Sequence, residues 1–401
     1  MCKQLPFYIA CMLFAGSACS NKTTGTVTPA KEKSARYRPS IAWDQSTLQR
    51  IAPQKNRNVG YCGYPRMIQL HDNSLLCVYE VSGGSIESTK SFDKGNTWSA
   101  PVVVAIRQNG INMAVPEILE LKDNSLLVSY NPRPQPIDAA RHFGIRTKKS
   151  YDGGLIWTDE RLLYEAGSKF EDGCWEPAQI QLPSGEIQLF FSNEAIYTTS
   201  NEQNISIFRS VDNGLSWTTQ PQIVSFRAGK RDGMPVPILL KDKNKILFSI
   251  EDNAVGAFKP SIIRTTIDGK WNVVAYATSP DRNAALAQPL GDSIYAGAPY
   301  LRQLTSGETI LSYQGTEGRN KDWNQACMFV AIGDRDGKNF GQKSIPFDVP
   351  LNKHGHWNSL CVMEDDTIVA LTSTNAYSEN STEVWMIKGR LVNETTINNQ
   401  Q

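Results

Sequence analysis

The sequence predicts an all-β fold, a six-bladed β-propeller of four-stranded antiparallel blades, and three observations carry that prediction. A turn motif Ser-x-Asp-x-Gly-x-x-Trp recurs at intervals of about sixty residues: Ser91, Asp93, Gly95 and Trp98; Ser150, Asp152, Gly154 and Trp157; Ser210, Asp212, Gly214 and Trp217. A second repeat, an inner segment followed by a polar turn and an apolar strand, occurs six times. Proline recurs at the start of the inner segment, which suits a strand that edges a central channel, because there a missing N–H removes no ladder hydrogen bond.

The turn motif has a simple physical reading. Asp accepts hydrogen bonds from nearby backbone N–H groups, Gly takes a positive φ, and Trp packs back into the blade. Degenerate copies stand at Asp268-Gly269-Lys270-Trp271 and Asp336-Gly337-Lys338-Asn339-Phe340. The inner segments begin at Tyr64-Pro65-Arg66, Val115-Pro116-Glu117, Trp175-Glu176-Pro177, Met234-Pro235-Val236, Ala298-Pro299-Tyr300 and Trp357-Asn358-Ser359. In the first blade the strands are expected near 64–70, 74–79, 86–91 and 101–106. The last blade lacks a fourth strand of its own, and Leu48 to Ile51 is expected to supply it from the N-terminal side, closing the ring.

Ahead of the propeller, expected over 45–395, the chain reads as an export leader. Lys3 precedes an apolar run from Leu5 to Ala15, and Gly16-Ser17-Ala18 leads into Cys19. Small residues before a cysteine resemble a bacterial lipobox, so residues 1–19 are expected to be a signal peptide ending at a lipidated cysteine, with cleavage near Ala18 and plain secretion as the alternative. Residues 20–44, rich in Thr, Lys, Ser and Pro, read as a flexible tether. The protein is thus expected to be exported, as an outer-membrane or cell-surface lipoprotein or in the periplasm, touching membrane only through the lipid.

Lys plus Arg number 41 against 40 Asp plus Glu, a formal charge of +1, so no broad field attracts nucleic acid or an anionic membrane. With 9 Trp, 14 Tyr and 14 Phe there are rings enough for a core and for a sugar platform. Past the leader, five cysteines remain without zinc or redox spacing, and buried free thiols are expected, with one disulfide as the alternative. Only 4 histidines occur, without ligand spacing, so neither metal nor other cofactor is expected.

Strand alternation puts the inner-strand starts and the second-to-third-strand loops at the end opposite the Asp turns, and the site is expected there. Arg66, Glu117, Trp175, Glu176, Asp232, Tyr300, His356 and Trp357 are the inner-strand candidates; the loops add Glu80, Arg133, His142, Asn193, Glu194, Glu251, Asp252, Glu317 and Tyr377. Carboxylates for acid and base work beside rings that stack on sugar faces point to a glycan partner. Each candidate has a plainer reading. Glu176 could cap a backbone N–H, Glu251 could be an exposed strand end, and Arg66 could brace Glu117 as a structural ion pair.

These Asp turns resemble the Asp-box (BNR) repeats of the sialidase superfamily over roughly Leu48 to Leu391. Within it, Tyr64-Pro65-Arg66, Trp175-Glu176-Pro177 and Phe248-Ser249-Ile250-Glu251 look most like the exo-arabinanase family of retaining glycoside hydrolases. That resemblance implies Glu176 as acid/base and Glu251 as nucleophile; Arg66, Glu117, Trp175, Asn193, Asp232, Tyr300, His356 and Trp357 are expected as substrate contacts from their place at that end of the channel. An exo-α-sialidase is the alternative enzyme, but the loop 81–86 holds neither the Asp nor the Arg that one would need there. A non-catalytic glycan-binding propeller is the third reading. A monomer is expected.

Overall fold

The computed structural model of the chain describes residues 36–396, apart from 55–56 and 242–243. The leader and residues 20–35 of the tether lie outside the described residues. Among the described residues, twenty-four strands form six four-stranded antiparallel sheets. Blade 1 runs Cys62–Gln69, Leu75–Val81, Ser85–Ser91 and Val102–Ala105, and blade 2 runs Ile111–Glu120, Leu126–Pro134, Gly144–Ser150 and Thr158–Glu165. Blade 3 comprises Cys174–Gln181, Ile187–Asn193, Asn204–Ser210 and Gln222–Ser225; blade 4 comprises Asp232–Leu239, Lys245–Asp252, Lys259–Thr266 and Arg282–Ala284. Blade 5 is built from Ala296–Gln303, Thr309–Gly315, Cys327–Gly333 and Gly341–Ser344.

Blade 6 takes Gly355–Val362, Ile368–Thr374 and Glu383–Thr396 from the C-terminal side and Arg36–Ala52 as its outer strand. The expected closure by Leu48 to Ile51 is therefore present, and the closing strand is longer than expected: residues 36–44, assigned to the tether, are part of it. The inner strands of successive blades touch all the way round, blade 1 meeting both blade 2 and blade 6, which makes the array a closed ring.

Apolar side chains are sandwiched between blades rather than gathered in one centre. Cys62, Met67, Leu75 and Cys77 of blade 1 pack with Leu371, Val384 and Met386 of blade 6, and Phe190 and Ile207 of blade 3 with Phe248 and Ile263 of blade 4. The five cysteines among the described residues are free and buried in this packing.

The Asp turns join third to fourth strands as expected. In the first, Ser91 Oγ donates to Asp93 Oδ1 at 2.8 Å and accepts from the Gly95 N–H at 2.7 Å, while the Thr97 N–H reaches Asp93 at 2.8 Å. The same pattern holds at Ser150–Asp152 and Ser210–Asp212. In blade 5 the turn acceptor is Asp334, two residues before the Asp336 of the sequence motif. Gly95, Gly154 and Gly214 have φ of +87°, +95° and +82°, and each sits against Leu75, Leu126 or Leu127. The turns brace the joints between blades, at the end away from the inner-strand starts.

Candidate active site

Every inner strand carries the same irregularity near its start. Two residues of the inner strand oppose one of the second strand, at Tyr64-Pro65, Val115-Pro116, Glu176-Pro177, Met234-Pro235, Ala298-Pro299 and Trp357-Asn358. The first residue of each pair has φ between 47° and 54° although none is glycine. Such a bulge re-aims its side chain, and a non-glycine residue held at positive φ stores strain of order 1–3 kcal/mol that the surrounding packing must offset. Tyr64, Val115, Met234, Ala298 and Trp357 form one apolar cluster. Glu176, the sixth member of the ring, is its one carboxylate.

A second repeated device joins neighbouring blades. The last inward-facing side chain of a blade's second strand accepts a hydrogen bond from the bulge N–H of the next blade: Val115 to Glu80 at 3.0 Å, Met234 to Ser192 at 3.0 Å, Ala298 to Glu251 at 2.9 Å, Trp357 to Gln314 at 2.8 Å and Tyr64 to Ser373 at 3.0 Å. Serine and glutamine satisfy this clasp without charge, so a half-buried carboxylate at Glu251 is more than the clasp requires. Register explains its direction. Glu251 pairs opposite Gly233 while Asp252 pairs opposite Asp232, so the two acidic side chains leave opposite faces of the strand. Glycine is needed on both sides of Glu251: a Cβ at Gly233 would meet its Oε1 at 3.2 Å, and one at Gly297 would meet Oε2 at 2.6 Å and Tyr295 Oη at 2.3 Å.

The two carboxylates are electrically coupled. Burial pushes Glu251 up to about 7, the Ala298 N–H opposes the rise, and the charge of Glu176 adds to it. Glu176 is also raised, chiefly by burial, with Arg133 opposing and Glu194 reinforcing. Arg133 lies 3.2 Å from Glu176 Oε1, donates to Asn131 Oδ1 at 2.8 Å and stacks over the Trp175 ring. Glu194, buried, accepts from Trp175 Nε1 at 2.7 Å, Gln203 Nε2 at 3.0 Å and both terminal nitrogens of Arg231. The Arg231 charge lowers Glu176 and Glu251 alike, so it stands near both. Across from this charged arc, Trp357 stacks on Tyr64 at 4.7 Å and approaches the exposed Trp323 ring.

Several expected contacts are placed differently. Arg66, Glu117 and Tyr300 lie two residues further along their strands and close the channel: Arg66 Nε is 3.3 Å from Glu117, and Tyr300 Oη of blade 5 reaches Glu117 of blade 2 at 3.1 Å. A bond between blades so far apart in the ring must cross the axis, so these buried side chains form the floor of the site. The structural ion pair considered for Arg66 is present. Asp232 is a correction: fully buried inside blade 4, it shares Arg227 and Arg282 with Asp252 in a closed four-charge network. Asn193 is another, buried against Tyr164 because it follows Ser192 on an alternating strand. Trp175 is 3% exposed and holds Glu194, so it positions its neighbour Glu176 rather than offering a platform. His356, depressed to about 4 by burial and by His354, is neutral, and its Nε2–H donates to the Trp323 carbonyl at 3.0 Å.

Tyr61, Arg231 and Tyr295 escaped sequence reasoning. All three precede the bulge residue of their blade by three positions, and aligning the six copies on that residue would have found them.

No family model and no curated protein matches the chain. Solved structures do. An α-L-arabinanase of Penicillium chrysogenum complexed with arabinobiose superposes with TM-score 0.63 at 18% identity, covering 85% of this chain and 97% of that one. An α-L-arabinofuranosidase of Fusarium graminearum, also with arabinobiose, gives 0.62 at 17% identity over 85% and 97%. The NanB sialidase of Streptococcus pneumoniae gives 0.60 at 12% over 88% and 71%. The fold is accordingly the six-bladed propeller that this chain shares with these arabinanase, arabinofuranosidase and sialidase structures.

Proposed function

We propose that the protein is a retaining, exo-acting glycoside hydrolase of the exo-arabinanase kind, with Glu176 and Glu251 as its catalytic pair. One observation carries the reading: two half-buried carboxylates from adjacent blades, each raised by desolvation and by an acidic neighbour, at the strained mouth of the channel. Coupled carboxylates titrate as a pair, and raising both favours a form in which the two share a proton, the state a double displacement needs. Glu176 protonates the leaving oxygen, Glu251 attacks the anomeric carbon to give a glycosyl ester, and Glu176 then takes a proton from the water that hydrolyses it. The Ala298 N–H orients the attacking carboxylate.

Both carboxylates are raised and Arg133 opposes the rise at Glu176, so the alternative is the same pair with the two roles exchanged. A fluorosugar trap followed by peptide mass mapping separates the two orders, because the labelled glutamate is the nucleophile. Release of reducing sugar from linear arabinan, with retained configuration by NMR, is expected for the intact protein and its loss for Glu251→Gln; full activity in that variant overturns the reading. For a sialidase the arginines are poorly arranged: Arg66 and Arg302 both lie against Tyr300, and Arg264 donates toward Gly337 at the Asp-turn end. Turnover of a fluorogenic sialoside would favour that enzyme instead. Glycan binding that survives loss of both glutamates, without turnover by the intact protein, would favour a binding module. We retain the lipid-anchored cell-surface placement, a monomeric state and a glycan partner as part of the proposal.

A further inference from the structure

On the Asp-turn side of the charged floor the channel holds a cavity of about 290 Å³. Its wall is one layer of the ring. Four positions past each bulge residue stand Ile68, Leu119, Ile180, Ile238, Arg302 and Cys361, and all but Cys361 line the cavity. Blade 5 thus puts a guanidinium where the other blades put apolar side chains. Glu117 forms part of the roof, and the exposed Lys241 stands at the outer rim. The charges do not balance. Arg66 is matched by Glu117 at 3.3 Å, but Arg302, half-buried, makes no ion pair among the described residues. It donates from Nη1 to the Leu301 carbonyl at 2.9 Å and from Nη2 to Tyr300 Oη, with its guanidinium 4.3 Å from the centre of the Tyr300 ring. Its Nε–H and one N–H on each terminal nitrogen have no protein partner among the described residues, and a cation set among apolar walls is stabilised by an anion that takes up such donors.

We propose that this cavity is a second ligand site, separate from the glutamate pair, and that it takes a small aliphatic monocarboxylate. The head group is set by Arg302, whose planar fork of donors matches a carboxylate. The body is set by Ile68, Leu119, Ile180 and Ile238, which offer an alkyl chain an apolar wall and no polar atom. A hydroxyl-rich ligand finds little here, because the two amide side chains of the lining are already engaged. Gln179 donates to the Glu117 and Leu127 carbonyls at 3.2 Å and accepts from Ser129 Oγ, while Gln303 donates to the Gly307 carbonyl at 2.8 Å and accepts from the Lys241 N–H at 2.9 Å. An inorganic anion would answer the charge and leave the apolar wall wet. Arg66, Glu117 and Tyr300 stand between this site and the bulge end, so it does not depend on the hydrolase reading.

Calorimetric titration of the intact protein with hexanoate tests this, with acetate and 1-hexanol as the two halves of the ligand. Saturable binding of one hexanoate is expected, with each half binding about tenfold more weakly or worse, since one lacks the alkyl contact and the other the charged hydrogen bonds. Two variants locate the site. Arg302→Leu puts at blade 5 the kind of side chain that blade 2 carries as Leu119, and Leu119→Trp fills the cavity while leaving Arg302 in place. Each is expected to weaken hexanoate by about tenfold or more, with the thermal unfolding transition of the intact protein retained as the check on folding; if Arg302→Leu loses that transition, Leu119→Trp and the two half-ligands decide. Absence of saturable hexanoate binding overturns the proposal. So does 1-hexanol binding as tightly as hexanoate, which makes the cavity a plain apolar one, or acetate doing so, which makes it an anion site without an apolar body. Hexanoate binding unchanged in the folded variants places the ligand elsewhere and overturns it as well.

Discussion

Glu251 sits where four of the other five blades place Glu80, Ser192, Gln314 or Ser373 for the same structural purpose, and what separates it from them is its surroundings. Two glycines make room for it, and Glu176 repels it. In the proposed enzyme Glu251→Gln is expected to lower kcat by about 10²–10⁴-fold, as removal of a group acting in the transition state does. Stability should respond in the opposite sense. Raised from 4.5 to about 7, Glu251 binds a proton in the folded state that it has lost in the unfolded one between those values, so its contribution is fully present below pH 4.5 and is lost as pH rises through 7. Thermal unfolding of Glu251→Gln at pH 8 should therefore show a gain, up to about 3 kcal/mol for a shift of that size. At pH 4 the two proteins should unfold alike. Arg133→Gln removes the charge that holds Glu176 down, so the limb of the pH–rate profile governed by Glu176 is expected to move to higher pH, and kcat to fall.

The recurring elements do two different jobs at the two ends of a blade. At the Asp-turn end, glycine at positive φ lets the turn close against leucines of neighbouring strands. Gly154→Ala adds a Cβ at φ +95° with its nearest contact, Leu126, at an unstrained 3.5 Å, so its cost is backbone strain alone, about 1–2 kcal/mol. Urea melts should show that loss while KM stays unchanged. At the other end the bulge turns one side chain per blade into the channel. Five blades use it for apolar packing and the third uses it for Glu176, so a structural repeat holds the functional residue. The repeated turn, the inner-strand prolines and even the closing strand were legible in the sequence because each is local or periodic. The burial of Asp232 and Asn193 was not. Which face a residue takes depends on a register that the bulge shifts by one position, and the bulge shows only in the paired strands.

At the scale of the ring, stability depends on a strand contributed from the far end of the chain. Arg36–Ala52 covers the outer edge of blade 6, with Ile41 and Ile51 buried in the packing on either side of that blade. Deleting residues 36–52 exposes both a strand edge and those apolar neighbours, and the expected outcome is loss of the single cooperative unfolding transition, read by calorimetry, together with aggregation through the open edge. The closed ring also gives the channel two different mouths. Arg66, Glu117 and Tyr300 reach across the axis and separate them, so a ligand entering at the bulge end meets a charged floor rather than a through passage.

Sequence by itself determined the number of blades, the turn that ends most third strands and the closing strand, because a repeat writes its own period and a missing strand leaves a countable gap; the choice of Glu176 and Glu251 came from the resemblance to the exo-arabinanase family. Tertiary structure alone decided which acidic side chains face one another. Burial and charge coupling act through space between blades some seventy residues apart in the chain, and no local pattern encodes whether Arg133 pairs with Glu176 or whether Asp232 turns inward to Arg282.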